Sequence, residues 1–389
     1  MVMTSKERLL TALARGVPDR LPVTTHHLMR YFLDTYMGGM GELEFFDYFG
    51  LDAITWVVPH RPDTEHGEFF DPHHTTPGFL ESRRIASAEW RVEAEDVPHS
   101  RYVTTRYRFV TPKGQLTMMV QSNEHTTWVS EHLIKAKHDI DLIGEFVTAP
   151  KCDVETVNRA AEAFGSRGLV RGHICCFDIF GQPGTWQDAC CLVGTQRMIM
   201  ETFDDPAWVH TLLKILHRRK RIFVQSLQGA RYDLLELGGG DASTTVISPT
   251  IFENFVAPYD ADLIATAHEA GQRIVYHTCG GMMPILETIA AMQPDAMETF
   301  TPKAMGGDVR LAEAKRRIGD KVCMIGSFDQ FHSFTNCSEA DTRVAVRRAF
   351  ADAGEGGGFI LSPSDHFFDA DPKLIAAFAD EARACVYGC

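Results

Sequence analysis

A (β/α)8 barrel is the fold class the sequence predicts, and three observations predict it. Short apolar, β-branched runs recur eight times along 389 residues. Helix-period segments separate most of them, and glycines and ionisable residues gather where the runs end. Alternation of this kind argues for a parallel sheet, and eight repeats suit a closed barrel. A doubly wound open sheet is the alternative that periodicity alone leaves standing.

The chain opens with MVMTSKERLLTALARGVP, in which Thr4 and Glu7 are spaced as a capping box and Gly16 and Pro18 close the helix. The strand candidates are 21–25, 53–58, 168–174, 232–237, 273–277, 295–299, 321–326 and 358–362. Amphipathic segments at 206–229, 249–271, 283–292, 308–318, 338–353 and 372–385 supply the helices. One excursion breaks the alternation, from about 88 to 130. There 101–110 and 115–121 alternate as strands around the turn Thr111, Pro112, Lys113, Gly114. This reads as an antiparallel β-hairpin insertion between the second and third barrel strands. No linker or low-complexity tract divides the chain, so residues 1–389 are expected to form a single barrel domain.

Bulk composition narrows the function classes. With 44% hydrophobic and 23% charged residues, the chain is ordinary globular material. A formal charge of −14 argues against nucleic acid or an anionic membrane as partner. The basic run at 217–221 lies within a helical pattern and reads as a solvated helix face. No apolar stretch approaches the roughly 20 residues of a membrane span, and the first residues do not read as a signal peptide. Ten scattered cysteines are expected to be reduced thiols of a cytoplasmic protein, most of them packing residues.

In barrels of this class the chemistry sits at the C-terminal strand ends and in the loops that follow. That rule ranks the polar residues. His26, His27 and Arg30 follow the first run, where they either line the mouth or lie on the surface. His173 ends the third run and leads to Phe177. Glu236 and Asp241 flank the three glycines after the fourth. Glu298 ends the sixth, Ser327, Asp329 and Gln330 follow the seventh, and Asp365 and His366 follow the eighth.

The fifth run is the most telling. In RIVYHTCGG at 273–281, His277 and Cys279 stand two apart on a strand end, and i and i+2 share a face. An imidazole and a thiol so placed suit a borderline cation, with zinc the first choice. A buried packing cysteine is the plain alternative.

Beyond these local readings, the chain resembles the uroporphyrinogen decarboxylase superfamily. The resemblance rests on KERLLTAL at 6–13 with PDRLP at 18–22, and on GGDAS at 239–243 with ISPTIF at 247–252 and Pro258. YHTCG at 276–280, LAEAK at 311–315 with Gly319, and GFILSP at 358–363 complete it. Within the superfamily, His277 and Cys279 look like the zinc half-site of the methylcobamide methyltransferase branch. The resemblance implies a third ligand after the eighth strand, usually a cysteine. This sequence has LSPSDH at 361–366, so Asp365 takes that position, with His366 next to it. The decarboxylase branch implies an arginine-rich segment after the first strand, whereas residues 24–31 hold one arginine.

The expectation is therefore a zinc-dependent methyltransferase. It would move a methyl group from a small methoxylated, aromatic compound to the Co(I) corrinoid of a partner protein, in an O-demethylase type of reaction. Zinc would bind His277, Cys279 and Asp365, with His366 as the alternative third ligand. Glu236 and Asp241 are read as catalytic, as orienting groups, a fourth ligand or proton acceptors, with helix capping as the plain alternative. Glu298, Phe177 and His366 are read as substrate-binding. For Glu298 the plain alternative is an ion pair with Lys303 or Arg310, and for Phe177, with Phe180 and Trp186, it is core packing. A metal-independent decarboxylase and a non-catalytic tetrapyrrole- or corrinoid-binding subunit are the competing readings. A homodimer is left open.

Overall fold

The computed structural model describes residues 2–58, 60–61, 68–70 and 84–388. Seven parallel strands form one curled sheet in chain order: β1 (Ala53–Trp56), β2 (Gly168–His173), β3 (Leu234–Gly238), β4 (Ile274–His277), β5 (Ala296–Thr299), β6 (Cys323–Phe328) and β7 (Phe359–Pro363). Neighbours in sequence are neighbours in the sheet, each joined to the next by a crossover connection. Side chains of β2, β3 and β7 are buried throughout, because helices cover one face and the barrel interior the other.

The first expected strand, 21–25, is the exception. It forms no ladder, only a parallel bridge from Val23 to Leu361. Still, Thr24 N–H donates to the Leu361 carbonyl (2.9 Å), and Asp52 N–H donates to the Val23 carbonyl (2.7 Å). This extended segment thus spans the two edges of the sheet, β7 on one side and the approach to β1 on the other. Pro22 lacks an N–H, which limits regular pairing there. The result is a barrel-like ring with seven laddered strands and one bridged segment.

Local chemistry sets the helix ends. Thr4 and Glu7 form the expected capping box before Ser5–Leu13. Asp205 accepts from Trp208 N–H ahead of Pro206–Gln225, and Ser338 caps Glu339–Ala353. Pro258 sits in the first turn of Ala257–Glu269, and the preceding five residues, Phe252–Val256, wind as a π-turn. A proline without an N–H there removes one helical bond, which accounts for the wider turn.

The excursion is larger than a hairpin. Arg91–Asp96, Val103–Thr111, Gly114–Ser122 and Thr127–Glu131 form a four-stranded antiparallel sheet in that order. It is keyed to the barrel by Trp90, whose indole N–H donates to Asp178 across 3.1 Å. Among the described residues no helix is long and apolar enough to cross a membrane.

The basic run at 217–221 departs from its expected solvated face. Arg219 and Lys220 are buried, and each meets a buried carboxylate: Arg219 pairs with Asp178 (2.6 Å) and Lys220 with Asp188 (2.6 Å). Lys220 also donates to the carbonyls of Cys175 (2.7 Å) and Gln182 (2.9 Å). These pairs tie the loop after β2 to helix Pro206–Gln225. Buried charge of this kind persists only when paired and hydrogen-bonded.

A candidate metal centre at the barrel rim

Strand register sets the site. His277 on β4 lies opposite Glu298 on β5, and His173 on β2 lies opposite Glu236 on β3. The backbones run close here. Gly238 adopts φ +111°, and a Cβ at that position would stand 2.2 Å from the His277 carbonyl oxygen. Only glycine fits.

His277 is held at both ring nitrogens. Its Nδ1 lies 3.0 Å from Glu298 Oε1, and its Nε2 lies 2.9 Å from Cys279 Sγ. Asp365 comes from the loop after β7, lies near enough to Cys279 for its charge to raise the thiol pKa, and accepts from the neighbouring His366 N–H (2.8 Å). Its Oδ1 also lies 2.9 Å from His366 Nδ1. Asp365, far away in sequence, is thus brought to the neighbourhood of the His277–Cys279 pair.

Electrostatics follow from burial opposed by partners. Burial disfavours charge on His277, yet Cys279, Glu236 and Glu298 together hold its pKa well above the usual imidazole value. Burial pushes the Cys279 thiol up to about 11, against the pull of His277. Asp365 is held well below the ordinary carboxylate range despite its burial, by the hydrogen bond and charge of His366.

Beneath this point lies a buried polar layer built around an arginine that the sequence did not single out. Arg171, on β2, donates to Glu236 (2.8 Å) and to Glu298. Its guanidinium carbon also stands 4.7 Å over the Trp56 ring. Burial would raise the Glu298 pKa, but Arg171 and His26 hold it well below normal. His26 Nδ1 lies 3.3 Å from Glu298 Oε2, and the His26 ring stacks on His277 at 4.9 Å and 27°. His27 is buried beside Trp56, with Nε2 4.0 Å from Glu236, and burial lowers its pKa. Neither histidine is a surface residue: His26 is 6% exposed and His27 4%.

Thr299 fixes the end of β5. It adopts φ +81°, a strained setting for a β-branched residue, and its hydroxyl donates to the Thr278 carbonyl across 2.6 Å. That bond ties the backbone next to Glu298 to the backbone between His277 and Cys279.

Other expected site residues lie elsewhere in the arrangement. Glu236 and Glu298 are buried, with oxygens facing Arg171 and the histidines. For Glu298 these partners replace the ion pair with Lys303 or Arg310. Asp241 is turned outward from this cluster: it accepts from Gln187 Nε2 (2.9 Å) and the Thr195 hydroxyl (3.2 Å), and burial raises its pKa. Phe177 is fully buried against Trp90 and Phe109, under Arg219, so core packing describes it rather than a substrate wall. Trp186 is likewise buried, its indole N–H donating to the Asp241 carbonyl (3.2 Å). His366 is partly open at the rim, edge-on to Phe368.

Two donor groups are distinguishable. His26, Glu236, His277 and Glu298 offer ligand atoms all within 4.8 Å of one another. Arg171 already lies on both of those carboxylates, so a cation among them would face a buried guanidinium. The donors on the other side of His277, its Nε2 with Cys279 and Asp365, carry no such conflict. An imidazole whose second nitrogen rests on a carboxylate is the common arrangement around a metal-ligating histidine. Nitrogen, sulfur and carboxylate oxygen are the donor types zinc takes, so this set fits that ion.

Comparison with known proteins bears on the family and the fold. The sequence profile of uroporphyrinogen decarboxylase matches residues 179–385. The chain is 26% identical over 190 residues to a uroporphyrinogen decarboxylase of Thioalkalivibrio sulfidiphilus, covering 46% of this chain and 50% of that protein. It is 26% identical over 263 residues to one from Aliivibrio fischeri, covering 64% of this chain and 69% of the relative. Thus the chain spans about half the length of one of these relatives and about two thirds of the other. Among solved structures, a methyltransferase from Methanosarcina mazei superposes with a TM-score of 0.58 at 15% identity, covering 98% of each chain. That likeness concerns the fold. With more than half its length matched by the family profile, the chain belongs to the uroporphyrinogen decarboxylase family.

Proposed function

We propose that this chain is a zinc-dependent methyltransferase that moves a methyl group from a small methoxylated aromatic compound to the Co(I) corrinoid of a partner protein. The observation that carries this reading is the contact of His277 Nε2 with Cys279 Sγ, with His277 Nδ1 anchored on Glu298 and Asp365 in the neighbourhood of the thiol. His277, Cys279 and Asp365 would hold the ion. When bound, zinc supplies Lewis-acid stabilisation of negative charge on a leaving oxygen. The chain itself contributes positioning. Glu298 and Arg171 fix the imidazole, Thr299 fixes the loop carrying Cys279, and His366 orients Asp365. The Methanosarcina mazei protein of the same fold is a methyltransferase, in keeping with this reading.

The test is direct. Protein loaded with zinc at one ion per chain should methylate added Co(I) cobalamin when given a panel of methoxyarenes, followed by the cobalamin spectrum. Full activity in protein freed of transition metal overturns the proposal.

A metal-independent decarboxylase is the second reading, favoured by the names of the curated relatives. Against it stands the segment 24–31, where Arg30 is the one arginine and is exposed and paired with Asp34. Release of CO2 from carboxylated tetrapyrroles, with cobalamin left unmethylated, would select this alternative.

A further inference from the structure

Three rings from distant parts of the chain meet at the loop that carries Asp365. Tyr31 belongs to helix Arg30–Tyr36, His125 to the turn between the insertion strands Gly114–Ser122 and Thr127–Glu131, and Phe368 to the loop after β7. The His125 ring lies steeply inclined to both others, with centroids 4.3 Å from Tyr31 and 5.2 Å from Phe368, and those two stand 6.4 Å apart. Neighbouring contacts fix each ring. Phe32 packs on Phe367 at 4.9 Å, the Tyr36 hydroxyl donates to Asp369 (2.6 Å), and Asn123 Oδ1 accepts from the N–H groups of His125 and Thr126 (2.9 Å each). From Phe368 the cluster continues to His366 at 5.2 Å, whose Nδ1 lies 2.9 Å from Asp365. All three rings are half-buried rather than sealed in the core. One polar atom among them is unused. His125 Nε2 lies 3.4 Å from Glu124, whereas its Nδ1 is buried and has no hydrogen-bond partner among the described residues.

We propose that Tyr31, His125 and Phe368 form the aryl-binding part of the substrate site, with His125 Nδ1 hydrogen-bonding a hydroxyl on the ring. A methoxylated phenol is then taken in preference to a bare methoxyarene. This rests on the methoxyarene reading above and moves the aromatic wall from Phe177 to the rim. Aromatic side chains meet a flat aromatic partner edge to face or offset, and half-buried rings gain when such a partner covers them. A clasp that only held the insertion to the barrel would be served by the ring contacts alone. It would give no reason to bury a nitrogen without a partner, which costs free energy until something pairs with it. A site built to hydrogen-bond a substituent also rejects the analogue that lacks it.

Calorimetric binding of guaiacol, a methoxyphenol, and of anisole, the same ring without the hydroxyl, tests this on the full chain without turnover. Guaiacol should bind the wild type about 3- to 10-fold more tightly than anisole, the range of one hydrogen bond. His125→Phe keeps an aromatic ring in place and removes the nitrogen, so the preference should vanish while zinc content stays that of the wild type. Phe368→Leu should weaken both probes alike, by about threefold or more. Equal affinity of the wild type for the two probes, no binding of either, or a preference that survives in His125→Phe overturns the inference. Zinc retention and methyl transfer from another donor would be unaffected by that outcome. Failure of methyl transfer with this binding pattern intact removes the proposed function and leaves the aryl subsite. If His125→Phe does not fold, the wild-type preference and Phe368→Leu decide the matter.

Discussion

His277 Nδ1 lies 3.0 Å from Glu298 Oε1, directly across the β4–β5 pairing. That contact determines which ring nitrogen is left for Cys279. Removing the carboxylate should therefore loosen the metal site without touching a proposed ligand. In Glu298→Gln, zinc affinity is expected to fall about 10- to 100-fold, measured by chelator competition, with the chain still folded. Wild-type affinity in this variant would show that the contact has no part in metal binding.

Cys279 and His277 should matter more. Cys279→Ser and His277→Ala are each expected to leave less than about a tenth of an equivalent of zinc after gel filtration, because a three-donor site loses a donor outright. Elemental analysis of the purified variants checks this, and methyl transfer should disappear with the metal.

Arg171 is a stability residue by its surroundings. It is buried between Glu236 and Glu298, and Arg171→Met would leave two carboxylates without their shared cation. A loss of about 3–5 kcal/mol in unfolding free energy is expected by urea titration. A change below about 1 kcal/mol would mean that the layer is not held by this pair.

Phe177 separates core from pocket. Its ring is fully buried against Trp90 and Phe109. Phe177→Ala should cost about 3–5 kcal/mol of stability, while KM for a methoxyarene stays within about twofold at a temperature where the variant is folded, a shift of well under 1 kcal/mol. A large rise in KM with little loss of stability would restore the ring to the substrate wall.

Asp260 gives stability a pH dependence of stated sign. Burial raises its pKa from 3.8 to about 6, although Tyr276 O–H donates to it across 3.0 Å. The folded chain therefore holds this proton more tightly than the unfolded chain does. Its contribution to stability is present below about pH 4 and is lost as pH rises through about 6. The full loss is about 3 kcal/mol by linkage. Asp260→Asn should gain on the wild type progressively across that window. Parallel unfolding curves for the two proteins at pH 4.5 and pH 7.5 would contradict this.

The legible parts of the molecule were those written locally. Alternating apolar runs located the laddered strands within a few residues, and His277 with Cys279 stood out because two positions on one strand share a face. Arg171 was not legible. It sits in GLVRGH at 168–173, a run that reads as an ordinary buried strand, and its partners are 65 and 127 residues away. Lys220 looked solvated for the same reason: its carboxylate partner, Asp188, belongs to another helix, Thr185–Val193. His26 and His27 also needed the ring to close before their burial became visible. Charges buried in pairs carry no local signature, because their stabilisation comes from a partner that only topology brings near.

The insertion's Trp90 shares Asp178 with Arg219, which also donates to the carbonyls of Thr148 and Cys176. The antiparallel sheet is therefore no detachable ornament. Excising it would uncover one lone pair of an interior carboxylate and slacken the loop that leaves β2, the strand bearing Arg171. Any attempt to graft a different appendage onto this scaffold must bring its own donor for that oxygen.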